Sequence, residues 1–171
     1  MSGRRPIVVR PIVVIGLGNE YRGDDGVGPA VVRALHGRLP PPIRVVEVAD
    51  DVDLLDVWAG AALAVVVDAV LCTPPIPGRV HRWVVGDGVP APLGGHGVDV
   101  AAALALARVL GRSPERVVVY AIEGARVGTG AGLSAAVRRA VPATARAIAS
   151  EVISGNAPHR EPTQPVDRRA R

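Results

Sequence analysis

Three apolar, largely β-branched runs each stop at a residue suited to more than packing. Ile12-Val13-Val14-Ile15 stops at Gly16, Leu63-Ala64-Val65-Val66-Val67 at Asp68, and Val117–Ile122 at Glu123. Runs that are continuous rather than alternating polar and apolar are strands covered on both faces, the pattern of a parallel sheet. Ile43–Val48 and Val80–Val85 read as two further strands. Between the strands lie helical segments. Val27–Leu39 has apolar residues at 27, 31, 32 and 35 and is stopped by Pro40-Pro41-Pro42. Asp53–Ala62 opens with an acid that suits a helix dipole, and Gly94–Leu110 carries Asp99 in or near its first turn. Ser134–Ile153 has Ser134 as an N-cap and Pro142 as a residue expected to kink or split it. The alternation predicts an α/β chain: a three-layer α/β/α sandwich on a mostly parallel, roughly five-stranded twisted sheet. Aromatic residues make up only 2% and Phe is absent, so Val, Ala, Leu and Ile must fill the core. At 171 residues one domain is expected, at 11–153, with a basic extension at 1–10 and a disordered Pro/Arg-rich tail at 154–171.

Charge and cysteine usage exclude several function classes. The net charge of +4 comes entirely from the ends. Residues 1–10 contribute +3 and residues 156–171 contribute +2, which leaves −1 for 11–155. A basic groove with interleaved aromatics is missing, so no nucleic-acid partner is expected. The single cysteine, Cys72, excludes an internal disulfide and reads as a small residue near a strand end rather than a nucleophile. No apolar run reaches the ~18 residues of a membrane span, and the start lacks a signal-peptide pattern. No membrane partner and a cytoplasmic location are expected.

In open α/β sheets ligands bind beyond the carboxyl ends of the strands. Those ends point to the loop after Gly16, to Asp68, to the loop before Val98 and to Glu123. The loop after Gly16 is not a dinucleotide site. G-x-G-x-x-G needs a third glycine where Tyr21 stands, and Asp24-Asp25 would repel a phosphate. Two carboxylates before a helix suit a cation, although one of them can serve as a helix N-cap. Asp68 is either a turn-former or a site residue. His96, in Gly94-Gly95-His96-Gly97, is either a surface loop residue or a ligand; His36, His81 and His159 are weaker candidates. Asp25, Asp68 and His96 together would form an O/O/N set suited to nickel, zinc or manganese, with positions left open for substrate or water.

The motifs Gly16-Leu17-Gly18-Asn19, Asp24-Asp25-Gly26-Val27-Gly28-Pro29, Val67-Asp68-Ala69 and Gly95-His96-Gly97, in this order, resemble the hydrogenase maturation protease family. The likeness runs over residues 12–152 and includes Ile122-Glu123-Gly124 and Gly132-Leu133-Ser134. It implies an α/β/α endopeptidase that removes the C-terminal extension of a nickel–iron hydrogenase large-subunit precursor after nickel insertion. It also implies that Asp25, Asp68 and His96 contact nickel carried by the substrate rather than a tightly held cofactor. Asp50-Asp51-Val52-Asp53 and Val98-Asp99 depart from the family pattern, which bears on substrate selection. The catalytic group is not assigned: no Ser sits in a G-x-S-x-G elbow. Three alternatives remain at this level. One is a hydrolase like the peptidyl-tRNA hydrolases, which the Gly-Leu-Gly-Asn start also resembles. The others are a non-catalytic nickel-binding maturation factor and a structural or regulatory relative that has lost activity.

Overall fold

The computed structural model describes residues 11–49, 53–85, 100–130 and 132–155. Five strands form one sheet: β1 Ile12–Leu17, β2 Arg44–Val48, β3 Leu63–Val70, β4 Val80–Val85 and β5 Arg116–Glu123. Their spatial order is β2-β1-β3-β5-β4. All pairings are parallel except that of β4 with β5. The helices are α1 Val27–Leu35, α2 Leu54–Val57, α3 Val100–Val109 and α4 Ala135–Gly155.

The two faces of the sheet bury different helices. Val14, Val65, Val67, Val118 and Ile122 pack with α1 and α4. Val13, Ile15, Val66, Val117 and Val119 pack with α2 and α3. Neighbours in sequence thus pack on opposite faces, and β1 and β3 are buried along their whole length, as their unbroken apolar runs require. β4 differs: its residues alternate between exposed and half-buried, as expected for an antiparallel edge strand with one face toward the core.

Several sequence expectations are corrected. α1 ends at Leu35, well before the prolines, and α2 is a single turn rather than ten residues. α4 runs unbroken through Pro142. Pro142 and Arg138, whose carbonyl loses its amide partner there, both lie on the exposed side of the helix. Ser134 sits where an N-cap should, and its carbonyl accepts from Arg138 N, but its buried hydroxyl has no partner among the described residues. Asp50, Asp51, His96, Asp99 and the tail from 156 lie outside the described residues.

Candidate active site at the carboxyl edge of the sheet

The chain leaves β1 for α1 on one face, and β2 leads through α2 on the other face to β3. The carboxyl ends of β1 and β3 therefore flank the point where the winding reverses, which is where such sheets open a crevice. The glycines of the first loop shape that crevice. Gly18 has φ 119°, a backbone state that side chains disfavour, and a Cβ there would collide with the carbonyl oxygen of Asp25. A Cβ on Gly16 would strike the Gly28 carbonyl, and one on Gly28 would strike the carbonyls of Leu17 and Val67. The spacing that fails as a phosphate loop is thus a packing device. It presses the start of α1 onto the ends of β1 and β3.

This packing sets Asp24 and Asp25 in a single 3-10 turn, Asp24–Gly26. Their roles separate completely. Asp24 is fully buried and does not cap the adjoining helix, contrary to the N-cap expectation. Its Oδ2 accepts from Ala125 N at 2.8 Å and from Arg126 N at 3.3 Å, and its Oδ1 accepts from Ser134 N at 2.6 Å. It ties the loop after β5 and the start of α4 to the β1 loop. Asp25 is half-buried and accepts one bond at Oδ2, from Asn19 N at 3.1 Å. Its Oδ1 has no hydrogen-bond partner among the described residues.

Asp68 lies inside β3 near its carboxyl end and is only 9% exposed. Its one hydrogen bond among the described residues is Ala69 N to Oδ1, at 2.7 Å. Burial pushes its carboxyl up to about 7; the Ala69 bond opposes this, and the nearby Asp25 carboxylate adds to it. The Asp25 carboxylate, from a separate segment, is near enough to disfavour ionisation of Asp68, and each acid has an oxygen without a hydrogen-bond partner among the described residues. That arrangement can accept a cation. An open cavity of ≈ 360 Å³ borders the same turn, between Glu20, Tyr21, Arg33 and Leu133, but neither Asp25 nor Asp68 lines it.

The sheet edge holds a second polar cluster that sequence reasoning did not assemble. Glu123, at the end of β5, is 1% exposed. Its Oε2 accepts from Ile76 N at 2.6 Å, and its Oε1 lies 2.7 Å from His81 Nε2 and 3.6 Å from Arg79 Nε. The Ile76 amide, His81 and Arg79 hold its carboxyl below the usual carboxylate range against the cost of burial. Burial and the adjacent Glu123 push the Cys72 thiol up. Cys72, His81 and Glu123 each offer a donor atom, and these atoms lie within 4.8 Å of one another. The available signal was the strand end at Glu123; the pairing of β4 with β5, which brings His81 there, is not written in local sequence.

Comparison with known proteins identifies the family and the fold. A family model described as hydrogenase maturation protease matches residues 29–151. The chain belongs to the hydrogenase maturation protease family. This protease is thus a peptide hydrolase by family, and the matched stretch includes Asp68 and His96 but begins just after Asp25. Its fold is similar to that of the hydrogenase maturating endopeptidase HybD from Escherichia coli, with a TM-score of 0.73 and 19% identity over 85% of this chain and 93% of that one. An endopeptidase from Escherichia coli, solved in solution, gives a TM-score of 0.75 at 20% identity, over 85% and 93% of the two chains. The [NiFe] hydrogenase maturation protease HybD from Thermococcus kodakarensis gives 0.66 at 26% identity, over 83% and 98%. No curated protein matches by sequence comparison. Among the described residues no helix is long and apolar enough to cross a membrane.

Proposed function

We propose that this protease removes the C-terminal extension of a nickel–iron hydrogenase large-subunit precursor and recognises nickel carried by that substrate through Asp25, Asp68 and His96. The observation that carries the reading is that Asp25 and Asp68, near enough for one carboxylate to disfavour ionisation of the other, each keep a free carboxylate oxygen at the point where the sheet winding reverses. His96 lies outside the described residues, four positions before α3 begins at Val100. Two carboxylates and one imidazole make a borderline donor set that fits nickel and leaves coordination positions for the precursor's own ligands.

The division of labour follows from the partners. Asp24 spends both oxygens on backbone amides and holds the loops in place. Asp25 and Asp68 keep one oxygen each for the incoming metal. A cation between them favours the ionised form of Asp68, so docking of a nickel-loaded precursor expels the proton that burial retains. Held in this way, the scissile amide is presented to water. Water adds to the carbonyl carbon, the C–N bond breaks, and a proton passes to the leaving amine. Positioning of this kind supplies a large share of a hydrolytic rate enhancement.

The test is incubation of the full chain with nickel-loaded and nickel-free precursor, followed by intact mass measurement. Loss of a C-terminal fragment from the loaded precursor alone is the expected result. Asp25→Ala, Asp68→Ala and His96→Ala should each slow that loss at least ~100-fold, since each removes a contact that aligns the bond. Equal cutting of nickel-free precursor would overturn nickel recognition. Undiminished cutting by His96→Ala would remove His96 from the set.

A further inference from the structure

We infer that Cys72, His81 and Glu123 form a second divalent-metal site, separate from the Asp25–Asp68 pair and built for a zinc-class ion. Three unlike donors, a sulfur, an imidazole nitrogen and a carboxylate oxygen, converge within 4.8 Å. They arrive from three places: the segment after β3, the edge strand β4 and the end of β5. His81 pairs with Ala121, two residues before Glu123, so both side chains fall on the α2 and α3 face of the sheet, against which Cys72 also packs.

The geometry is close to that of a bound site. Donor atoms sharing one tetrahedral ion stand roughly 3–4 Å apart, given metal–ligand bonds of about 2.0–2.3 Å. His81 Nε2 and Glu123 Oε1 are already 2.7 Å apart, so small side-chain rotations admit an ion. The Ile76 amide holds the other carboxylate oxygen of Glu123, the kind of outer support that orients a ligand for its metal. Arg79 is the competing cation. It is about half exposed and 3.6 Å from Glu123, free to swing into solvent when an ion arrives. Binding forms metal–sulfur, metal–nitrogen and metal–oxygen bonds and releases the thiol proton to solvent; the Nε2 proton that His81 shares with Glu123 moves to Nδ1, or to solvent where both ring nitrogens carry one, with no change of oxidation state. A fourth position stays open. Asp68 and His81 are both in register with Ala121, from opposite sides, which puts their Cα atoms roughly 10 Å apart across the sheet. They belong to different sites.

The single cysteine makes the test sharp, because any thiolate–metal signal can come only from Cys72. Titrating the full chain with Co²⁺ should give a saturable thiolate-to-cobalt charge-transfer band at one equivalent, which Zn²⁺ then bleaches. Cys72→Ala should abolish the band. His81→Ala and Glu123→Gln should weaken cobalt binding at least ~10-fold with the circular dichroism spectrum retained. Asp68→Asn should leave the band unchanged, so the result is independent of nickel recognition and of precursor cutting. Absence of a saturable band overturns the site. So does unchanged affinity in His81→Ala, which would mean an exposed thiol acting alone, or loss of the band in Asp68→Asn, which would merge the two sites. Should Glu123→Gln lose its fold, the His81→Ala titration alone decides, because His81 is half-exposed on an edge strand.

Discussion

Asp68 and Glu123 sit near the ends of neighbouring parallel strands, project to the same face and are both buried, yet their proton affinities are shifted in opposite directions. Glu123 has an amide, an imidazole and a guanidinium within reach and is held ionised. Asp68 has one amide and a like-charged neighbour and is pushed up to about 7. Burial alone therefore does not decide how a carboxylate behaves; the count and sign of its partners do. Asp24 is a third case, saturated by three backbone amides although it adjoins the half-empty Asp25. A carboxylate that the fold has saturated maintains structure. One that the fold has left short of partners is available for a ligand.

Substitutions can break this contrast. Asp24→Ala should have the largest effect, a loss of about 3–5 kcal/mol in denaturant unfolding, because three buried amides lose a charged acceptor together. Asp68→Asn should act in the opposite direction. The folded-state pKa of about 7 lies above the ordinary 3.8, so the stability linked to the bound proton is complete below about pH 4 and is lost as pH rises through 7. Asn takes no such penalty. The variant should be more stable than the parent by about 2–4 kcal/mol at pH 8, and the gap should close toward pH 4. If the parent shows no decline over that window, Asp68 is not short of partners. Glu123→Gln should lower the thermal midpoint by on the order of 5 °C near neutral pH, since His81 and Arg79 lose their shared carboxylate. Arg33→Ala should change least. Arg33 meets Glu20 at 2.7 Å and Glu47 at 2.9 Å, but all three side chains are well exposed, and such pairs contribute less than ~1 kcal/mol. High salt should erase that difference first.

How far the sequence carried depended on the range of the interactions. The buried strands were legible because burial on both faces demands unbroken apolar runs, and β3 falls where such a run does; β4, an edge strand with one face toward the core, also begins and ends where the sequence placed it. The α2 helix was overread because Leu54, Leu55, Val57 and Trp58 are apolar whether one turn or three is formed. Ser134 was read as a capping side chain because local preference favours it, whereas the carboxylate that receives its amide comes from Asp24, 110 residues away. Asp25 and Asp68 were legible as strand-edge acids. That Asp25 lies near enough to influence Asp68 follows only once β1 lies beside β3.

Taken alone, the order of apolar runs and helical segments determined the layered α/β architecture, and the glycine and acid positions marked the edge where chemistry belongs. These are local consequences of period and backbone freedom. Only the tertiary structure decided which acids are saturated and which are left wanting, and only it brought Cys72, His81 and Glu123 together. Partner counts depend on strand order and on loops meeting across a hundred residues, and no spacing along the chain encodes them.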